Sequence, residues 1–158
     1  MNLATRLVMA ISAVGSDSYG VSTPTDRVDE SKVYSWPTGT GADEANQCYH
    51  AESTIATSAT TTFDFAGGGL VNAFGESVAP ARVKAIYIEN TGTVAITVGG
   101  TNGIVGSGFT LRPGEAVLKA APDATAYAVS GGSTDTVTLT NTSGATEASY
   151  SIIVIGAQ

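Results

Sequence analysis

Cys48 and His50 are the residues whose types and spacing come nearest to nucleophilic chemistry, and each is the single example of its type in the chain. They lie two positions apart in a segment with strand character, so both side chains point to the same face. A thiol beside an imidazole can act as a nucleophile, but no oxyanion-stabilising motif accompanies this pair. We therefore predict that the chain is not an enzyme and has no catalytic residues.

The sequence lacks the ligand patterns that a metal or cofactor site needs. A structural zinc site needs about four Cys or His ligands, which one cysteine and one histidine supply only across a symmetry axis. The pair Asp43-Glu44 and the cluster Asp26, Asp29 and Glu30 offer oxygen ligands for calcium. Neither has the spaced Asp/Asn and Gly pattern of an EF-hand loop. We predict no metal and no cofactor, and interpret these carboxylates as solvated turn residues.

The glycine-rich segments and the aromatic residues favour roles in turns and packing over roles in ligand binding. Segments 67–69, 99–100 and 131–132 lack the Lys-Ser/Thr ending of a phosphate loop and open no helix, so we predict turns. Trp36 and the six tyrosines have rings that stack on sugars, which leaves a carbohydrate-binding module open as an alternative. Because these residues are scattered, a buried or interface role is favoured.

The elements that would position these residues are short strands separated by turn signals. The strongest is Val83–Ile88, and Asn90–Thr93 predicts a hairpin turn into a strand over 94–98. A single helical turn is predicted near Leu70–Phe74. Strands that recur every 8 to 12 residues or so are typical of an antiparallel sandwich. The remaining predicted strands are 5–11, 32–36, 47–57, 60–65, 109–111, 116–119, 127–129, 137–140 and 149–155.

The chain is predicted to be all-β, an antiparallel β-sandwich of jelly-roll-like type with an extended, irregular N-terminal segment. Residues 1–45 contain brief strands and an arm, with a polar, turn-rich stretch over 15–31. Residues 46–158 form the sandwich core. We expect one structural unit, in which the arm reaches a neighbouring subunit.

Composition and charge limit the partners. The formal net charge is −7, and Lys and Arg are dispersed, so the chain has no electrostatic footprint for nucleic acid. It also lacks the basic amphipathic face that binds an anionic membrane surface. Charged residues make up 13% of the chain, about half the usual share. This indicates either a surface covered by neighbours, as in an assembly, or a neutral, hydrated surface, as in extracellular adhesive domains. We predict no nucleic-acid partner and no membrane.

The N-terminus imitates a signal peptide, because Arg6 precedes the apolar segment 7–11. That segment is short and no clear small-x-small cleavage site follows it, so we expect no cleaved signal. No run approaches the roughly 20 apolar residues of a membrane-spanning helix. A lone cysteine forms no internal disulfide, which fits assembly in a reducing host cytoplasm.

Three stretches, in order along the chain, together resemble a family of small virion structural proteins from tailed phages. The first is residues 39–46 with the polar strand that follows. The second runs from Phe63 through 72–75 to 81–88. The third runs from 112–115 through 121–127 to the closing strand 150–156. The resemblance covers most of the chain, and no single stretch is a mechanistic motif.

The resemblance implies a β-sandwich subunit attached to a capsid or tail. Within that class it favours an auxiliary capsid protein, also called a cement or decoration protein, on the outer surface of the capsid of the virion. Such a protein is expected to partner the major capsid protein and itself, as a homotrimer, and to stabilise the shell by bridging its subunits. Two alternatives remain: a tail, neck or fibre-associated subunit, and a receptor- or carbohydrate-binding module at the tail tip.

Overall fold

The computed structural model describes residues 2–18, 20–67, 69–131 and 135–158, and within these ranges it contains eleven strands and no helix. Clustering of contacts divides the chain into two units, Ala4–Trp36 and the remainder, Met1–Leu3 with Pro37–Gln158. The strands are β1 Thr5–Ser16, β2 Thr25–Trp36, β3 Gln47–Ile55, β4 Thr60–Asp64, β5 Arg82–Asn90, β6 Ile96–Gly100, β7 Phe109–Leu111, β8 Ala116–Ala120, β9 Tyr127–Ala128, β10 Thr136–Asn141 and β11 Ala148–Ala157.

The first unit is a single long β-hairpin. β1 and β2 pair antiparallel without interruption, from Thr5 opposite Trp36 to Ser16 opposite Thr25. The prediction of an irregular, turn-rich stretch over 15–31 is therefore wrong, because residues 25–31 belong to β2. Most side chains of this ribbon are exposed. Polar and charged residues are tolerated at most of its positions, so the period-2 alternation that marks a half-buried strand is weak here. The unit ends at Trp36.

The second unit is an antiparallel β-sandwich, as predicted. One sheet has the order β3-β11-β5-β8, with β9 also paired to β5, and the other has the order β4-β10-β6-β7. A continuous cluster of buried apolar side chains from both sheets fills the space between them. In β11 the inward residues Tyr150, Ile152 and Val154 are buried, whereas Ile153 between them is exposed. The jelly-roll-like connectivity stays a prediction.

The predicted hairpin between β5 and β6 is wrong, because these two strands lie in different sheets. The buried Asn90 determines the crossover. Its Nδ2 donates to the carbonyl oxygens of Val94 at 2.8 Å and Leu111 at 3.1 Å, and its Oδ1 accepts from the backbone N–H of Gly92 at 3.0 Å. These bonds direct the chain across to the other sheet. β5 keeps the central position predicted for it, between β11 and β8.

The helical turn predicted near Leu70–Phe74 is also absent from the described residues. Val71 forms an isolated antiparallel bridge with Ser77. Between them, the Asn72 Oδ1 accepts from the backbone N–H groups of Phe74 and Glu76, both at 2.9 Å. Gly75 has a φ of 79°, which favours glycine. The side-chain oxygen of Asn72 thus accepts the backbone hydrogen bonds of this segment, which closes as a tight loop instead of a helical turn.

Two basic residues of β5 hold the loops at one end of the sandwich. The register of β5 against β11 shifts after Ile155, which leaves Lys84 as an extra residue on β5. Lys84 is buried, and its Nζ donates to the carbonyl oxygens of Ala42 and Asp123. Arg82 donates to the carbonyl oxygen of Thr40 at 2.6 Å. Burial, with a smaller contribution from Arg82, lowers the pKa of Lys84.

We expect Lys84→Met to lower the free energy of unfolding by about 2–3 kcal/mol, because two carbonyl groups lose a charged donor. Urea denaturation at neutral pH measures this loss. The folded pKa of Lys84 lies below its ordinary value of 10.5, so the unfolded chain binds more protons just below that pH. The stability that Lys84 contributes therefore rises with pH through this window, and the deficit of the variant widens. Arg112→Met, at an exposed position, is the control. An equal loss of unfolding free energy in both variants would refute the role of Lys84 in holding the two loops.

Candidate functional site: an exposed β-hairpin

The hairpin β1–β2 concentrates the exposed apolar surface of the molecule. Of the nine large hydrophobic residues that are exposed in the described chain, six lie in this unit. They are Val8, Ile11, Val14, Val21, Val28 and Val33. Ile11 is 70% exposed and Val14 is 62% exposed, near the middle and the distal end of β1. Scattered single apolar residues are ordinary, but such a concentration on one element makes this hairpin the candidate interaction surface.

Pairing of β1 with β2 sorts these side chains onto two faces, because residues opposite one another in the register share a face. We call one of them the apolar face. It consists of Leu7, Met9, Ile11 and Ala13 on β1 and Val28, Glu30, Lys32 and Tyr34 on β2. The opposite face is mixed. It includes Val8, Ala10, Ser12 and Val14 on β1 and Arg27, Asp29, Ser31 and Val33 on β2.

Charges are distributed differently on the two faces. On the opposite face, Arg27 and Asp29 form an ion pair at 2.5 Å. On the apolar face, the Nζ of Lys32 lies 5.8 Å from the centroid of the Tyr34 ring. Glu30 has no cationic partner within the described parts of the chain. The apolar face therefore carries Glu30 and Lys32 in neighbouring rows, and Asp26 lies on the same side of the hairpin, opposite Gly15.

The base of the hairpin is well defined. Thr5 Oγ1 donates to the carbonyl oxygen of Trp36 at 2.7 Å and accepts from its backbone N–H at 3.0 Å. Tyr34 and Trp36 stack with ring centroids 6.0 Å apart. Beyond this base, the ribbon is two strands wide, and a two-stranded hairpin is marginally stable in water unless its face is covered. Its outer edges also present backbone groups that another strand can pair with. The arrangement suits protein binding.

Cys48 and His50 lie on β3 and share a face, as their spacing predicts. Cys48 is opposite Ile155 and His50 is opposite Ile153 in the neighbouring β11. His50 is exposed, whereas Cys48 is partly buried, and burial raises the pKa of its thiol. A raised pKa keeps the sulfur protonated at neutral pH and so disfavours a nucleophilic role. Among the described residues, no three His, Cys, Asp or Glu side chains come together as metal ligands.

Two of the carboxylates considered as calcium ligands, Glu44 and Asp29, contact groups within their own segments. Glu44 Oε2 accepts from the backbone N–H of Gly41 at 2.7 Å and closes the turn between them. Asp29 pairs with Arg27. Asp26 and Glu30 lie on the apolar side of the hairpin, four residues apart on an extended strand. The structure does not gather these groups around a common point.

The aromatic side chains mostly pack within the fold. Phe63 lies 6.0 Å from Tyr49 and 5.8 Å from Tyr150, measured between ring centroids. Burial raises the pKa of both of these phenols. Tyr87 donates from its hydroxyl to Glu89 Oε2 at 2.7 Å. Tyr19, Gly68 and Gly132, which belong to the aromatic and glycine sets considered above, lie outside the described residues. Within the described ones, no row of exposed rings forms a platform for a sugar.

Sequence reasoning gave no signal for a polar cavity of about 240 Å³ at one edge of the sandwich. Gln47 at the start of β3 lines it, and its Oε1 is buried with no hydrogen-bond partner in the described residues. Glu76 is the one carboxylate in the lining. The cavity lining offers hydrogen bonds, and it includes no group of three metal-ligating side chains among the described residues. The remaining lining residues are Asn46, Asn72, Ser77, Val78 and Gln158.

Comparison with known proteins identifies no relative: no family model, no curated protein and no solved structure matches this chain. A search for helices that are long and apolar enough to cross a membrane finds none in the described residues.

Proposed function

We propose that the chain is a non-enzymatic structural subunit of a tailed-phage particle, of the auxiliary capsid (cement) type. The observation that carries this proposal is the exposed hairpin of Ala4–Trp36, which forms a unit of its own and carries six of the nine exposed large apolar side chains of the described residues. Such an element needs a neighbour to cover it. The sequence resemblance to small virion proteins supplies the kind of assembly, and the low charged fraction of 13% agrees with a surface that neighbours cover.

In this proposal the subunit works by bridging. Its hairpin lies across adjacent subunits of the shell and contributes apolar contact together with strand-type hydrogen bonds at its edges. Each contact is weak by itself, and joining several copies makes them bind as a unit. The partners are the major capsid protein and further copies of the chain, as a trimer, on the outer surface of the capsid.

The same hairpin also suits a tail or neck subunit, since ring assemblies join neighbouring copies through extended segments as well. A ring of six or more copies would identify that candidate. Both candidates require the hairpin, and they differ in the position and symmetry of the chain on the particle.

Excision of residues 4–36 tests the role of the hairpin. Thr5 and Trp36 are directly opposite in the register, so joining Leu3 to Pro37 closes a short gap. The N-terminal residues that remain before the junction stay anchored, because the backbone N–H of Leu3 donates to Thr38 Oγ1 at 2.8 Å. We expect the sandwich to keep its β-type circular dichroism and cooperative unfolding. Binding to particles that lack the chain, measured by co-sedimentation, should weaken by roughly a hundredfold or more as multivalency is lost.

Phe74→Ser is the matched control, because it removes an exposed apolar side chain outside the hairpin and should leave binding unchanged. If the excised chain binds particles as well as the full chain, the hairpin is not the bridging element. If the full chain binds no particle at all, the proposed function is wrong.

A further inference from the structure

We propose that the polar cavity at the start of β3 is a binding site for a primary ammonium group carried on a short aliphatic chain. Gln47 Oε1 and the carboxylate of Glu76 would accept its N–H groups, and Val78 would contact its methylene groups. The lining residues all belong to the sandwich unit, so this inference goes beyond the proposed function and does not depend on it.

The unpaired oxygen of Gln47 is the observation that points to a ligand. Throughout the described parts of the chain, Gln47 Oε1 is the only buried side-chain nitrogen or oxygen atom without a hydrogen-bond partner. The residue as a whole is 7% exposed. An unpaired buried acceptor costs free energy, and nearly all such atoms in folded proteins have a partner. An unpaired acceptor in the wall of a cavity therefore indicates that the occupant of the cavity supplies the donor.

The strand directs the Gln47 side chain towards the inside of the sandwich. Residues two positions apart on a strand share a face, so Gln47 lies on the same face of β3 as Tyr49 and Ile55. Both of these residues pack in the core. Gln47 is the first residue of the strand and lines the cavity at that end. The loop closed by the bridge between Val71 and Ser77 supplies much of the remaining wall.

Other polar groups of the lining are engaged within the fold. Asn72 Oδ1 accepts from two backbone N–H groups of its own loop, and its Nδ2 donates to Glu76 Oε2 at 2.8 Å. Asn46 Oδ1 accepts from the backbone N–H of Gln158 at 3.1 Å. None of these bonds reaches Gln47 Oε1, so its donor comes from a bound molecule.

The charge of the lining selects a cation. Glu76 is its one carboxylate, and the described lining contains no lysine, arginine or histidine. An anion would therefore lie near a carboxylate without a counter-charge, which is costly. A calcium ion takes roughly six to eight oxygen ligands, usually including several carboxylates, and this lining has too few.

The donor pattern favours an ammonium group over a guanidinium group. A guanidinium binds a carboxylate best through both oxygens, but Glu76 Oε2 already accepts from Asn72. An ammonium group has three N–H donors and no acceptor, and it binds as a compact point charge. It can therefore satisfy Gln47 Oε1 and the carboxylate at the same time.

The size of the cavity fits such a ligand. Its volume of about 240 Å³ corresponds to about eight water molecules at roughly 30 Å³ each. A single bridging water would leave most of this space unfilled. Pockets for drug-sized ligands are larger, at about 300–1,000 Å³. The cavity is therefore sized for a small free amine or for a lysine side chain, which share the same chemistry.

Titration of the full chain with n-butylammonium chloride, followed by amide NMR spectra, tests the site. We expect saturable shifts of the resonances of the lining residues, including the side-chain amide of Gln47. Tetramethylammonium has the same charge and no N–H donor, so it should leave these resonances unchanged. Gln47→Leu should weaken butylammonium binding about tenfold or more, because the acceptor is lost. Glu76→Gln, which keeps an acceptor for Asn72, should weaken it by a similar factor.

Glu52→Gln, at an exposed position of the same strand, is the matched control and should bind like the native chain. Gln47→Leu should unfold at a denaturant concentration no lower than the native chain, since it removes an unpaired buried atom at similar side-chain size. The proposal is overturned if butylammonium shifts no lining resonance, as for a cavity that holds water only, or if Gln47→Leu binds it as tightly as the native chain. Should Gln47→Leu fail to fold, native affinity in Glu76→Gln overturns the proposal equally.

Nα-acetyl-lysine amide distinguishes the two sources of the ammonium group. Competition with butylammonium for the same resonances would identify a lysine side chain of another protein as a ligand that the cavity admits. Exclusion of this larger compound, with butylammonium still bound, would identify a small free amine.

Discussion

Phe63→Ala is expected to lower the free energy of unfolding of the sandwich by about 3–5 kcal/mol, as for other buried aromatic residues. Phe63 on β4 is 2% exposed and packs between Tyr49 of one strand and Tyr150 of another in the facing sheet. Truncation removes its apolar area from the core and leaves a cavity that the two tyrosines only partly fill. The edge-on contact with Tyr150 is lost as well, and such pairs contribute about 0.5–1.5 kcal/mol.

Chemical denaturation followed by circular dichroism measures the loss. Phe74→Ala provides the control, because this phenylalanine is 78% exposed and its truncation should cost less than about 0.5 kcal/mol. A small, similar effect in both variants would mean that the two sheets do not pack through the aromatic cluster described above.

Asn141→Ala is expected to lower the free energy of unfolding by about 3–4 kcal/mol, because it leaves several buried polar groups without partners. The fully buried Asn141 ends β10, and its Nδ2 donates to the carbonyl oxygens of Ile55, Ala56 and Thr146 at 2.9–3.2 Å. Its Oδ1 accepts from the backbone N–H of Ser143 at 2.9 Å. One side chain thus connects the end of β3 in one sheet with the loop that follows β10 in the other.

Thr140→Val is the neighbouring control. Thr140 points to the other face of β10, where its hydroxyl is 2.9 Å from that of Thr60. Loss of this contact should cost about 1 kcal/mol or less. Thermal unfolding that is equally depressed in the two variants would show that the Asn141 amide has no special structural role. Asn141→Asp should also be strongly destabilised, since a carboxylate cannot donate to the three carbonyl groups.

The sequence predicted the strands of the sandwich well where one face of a strand is buried. β5 and β11 contain dense runs of Ile and Val, and both lie in the middle of their sheet. In β10, Val137 and Leu139 alternate with threonines, and the alternation matches the buried and half-buried positions. Because burial of one face imposes a period of two on the residue types, local pattern suffices to find such strands.

Connections between sheets could not be read in the same way. The segment Asn90–Thr93 has the residue types of a hairpin turn, yet the chain crosses from one sheet to the other at this point. The deciding interactions of Asn90 reach Leu111, which is 21 positions away. A turn of this local composition suits both a hairpin within one sheet and a crossover between two sheets. Only the tertiary contacts distinguish the two connections.

The N-terminal segment was harder to predict than the sandwich. An N-terminal arm was expected from residues 1–45, but its regular hairpin was missed because the first half of β2 contains Asp26, Arg27, Asp29 and Glu30. Charged residues of this kind indicate a loop when a strand is assumed to have one buried face. On a ribbon exposed on both sides they are compatible with a strand. The cavity beside Gln47 also escaped notice, since it forms from segments distant in sequence.

The proposal that the chain is a phage capsid subunit is tested most directly by electron cryo-microscopy of capsids of the proposed phage, compared with capsids from a mutant lacking the chain. The account predicts extra density on the outer surface of the native capsids, in groups of three over the junctions between major capsid subunits, and its disappearance in the mutant. Identical capsids, or difference density confined to the tail or neck, would contradict the capsid role.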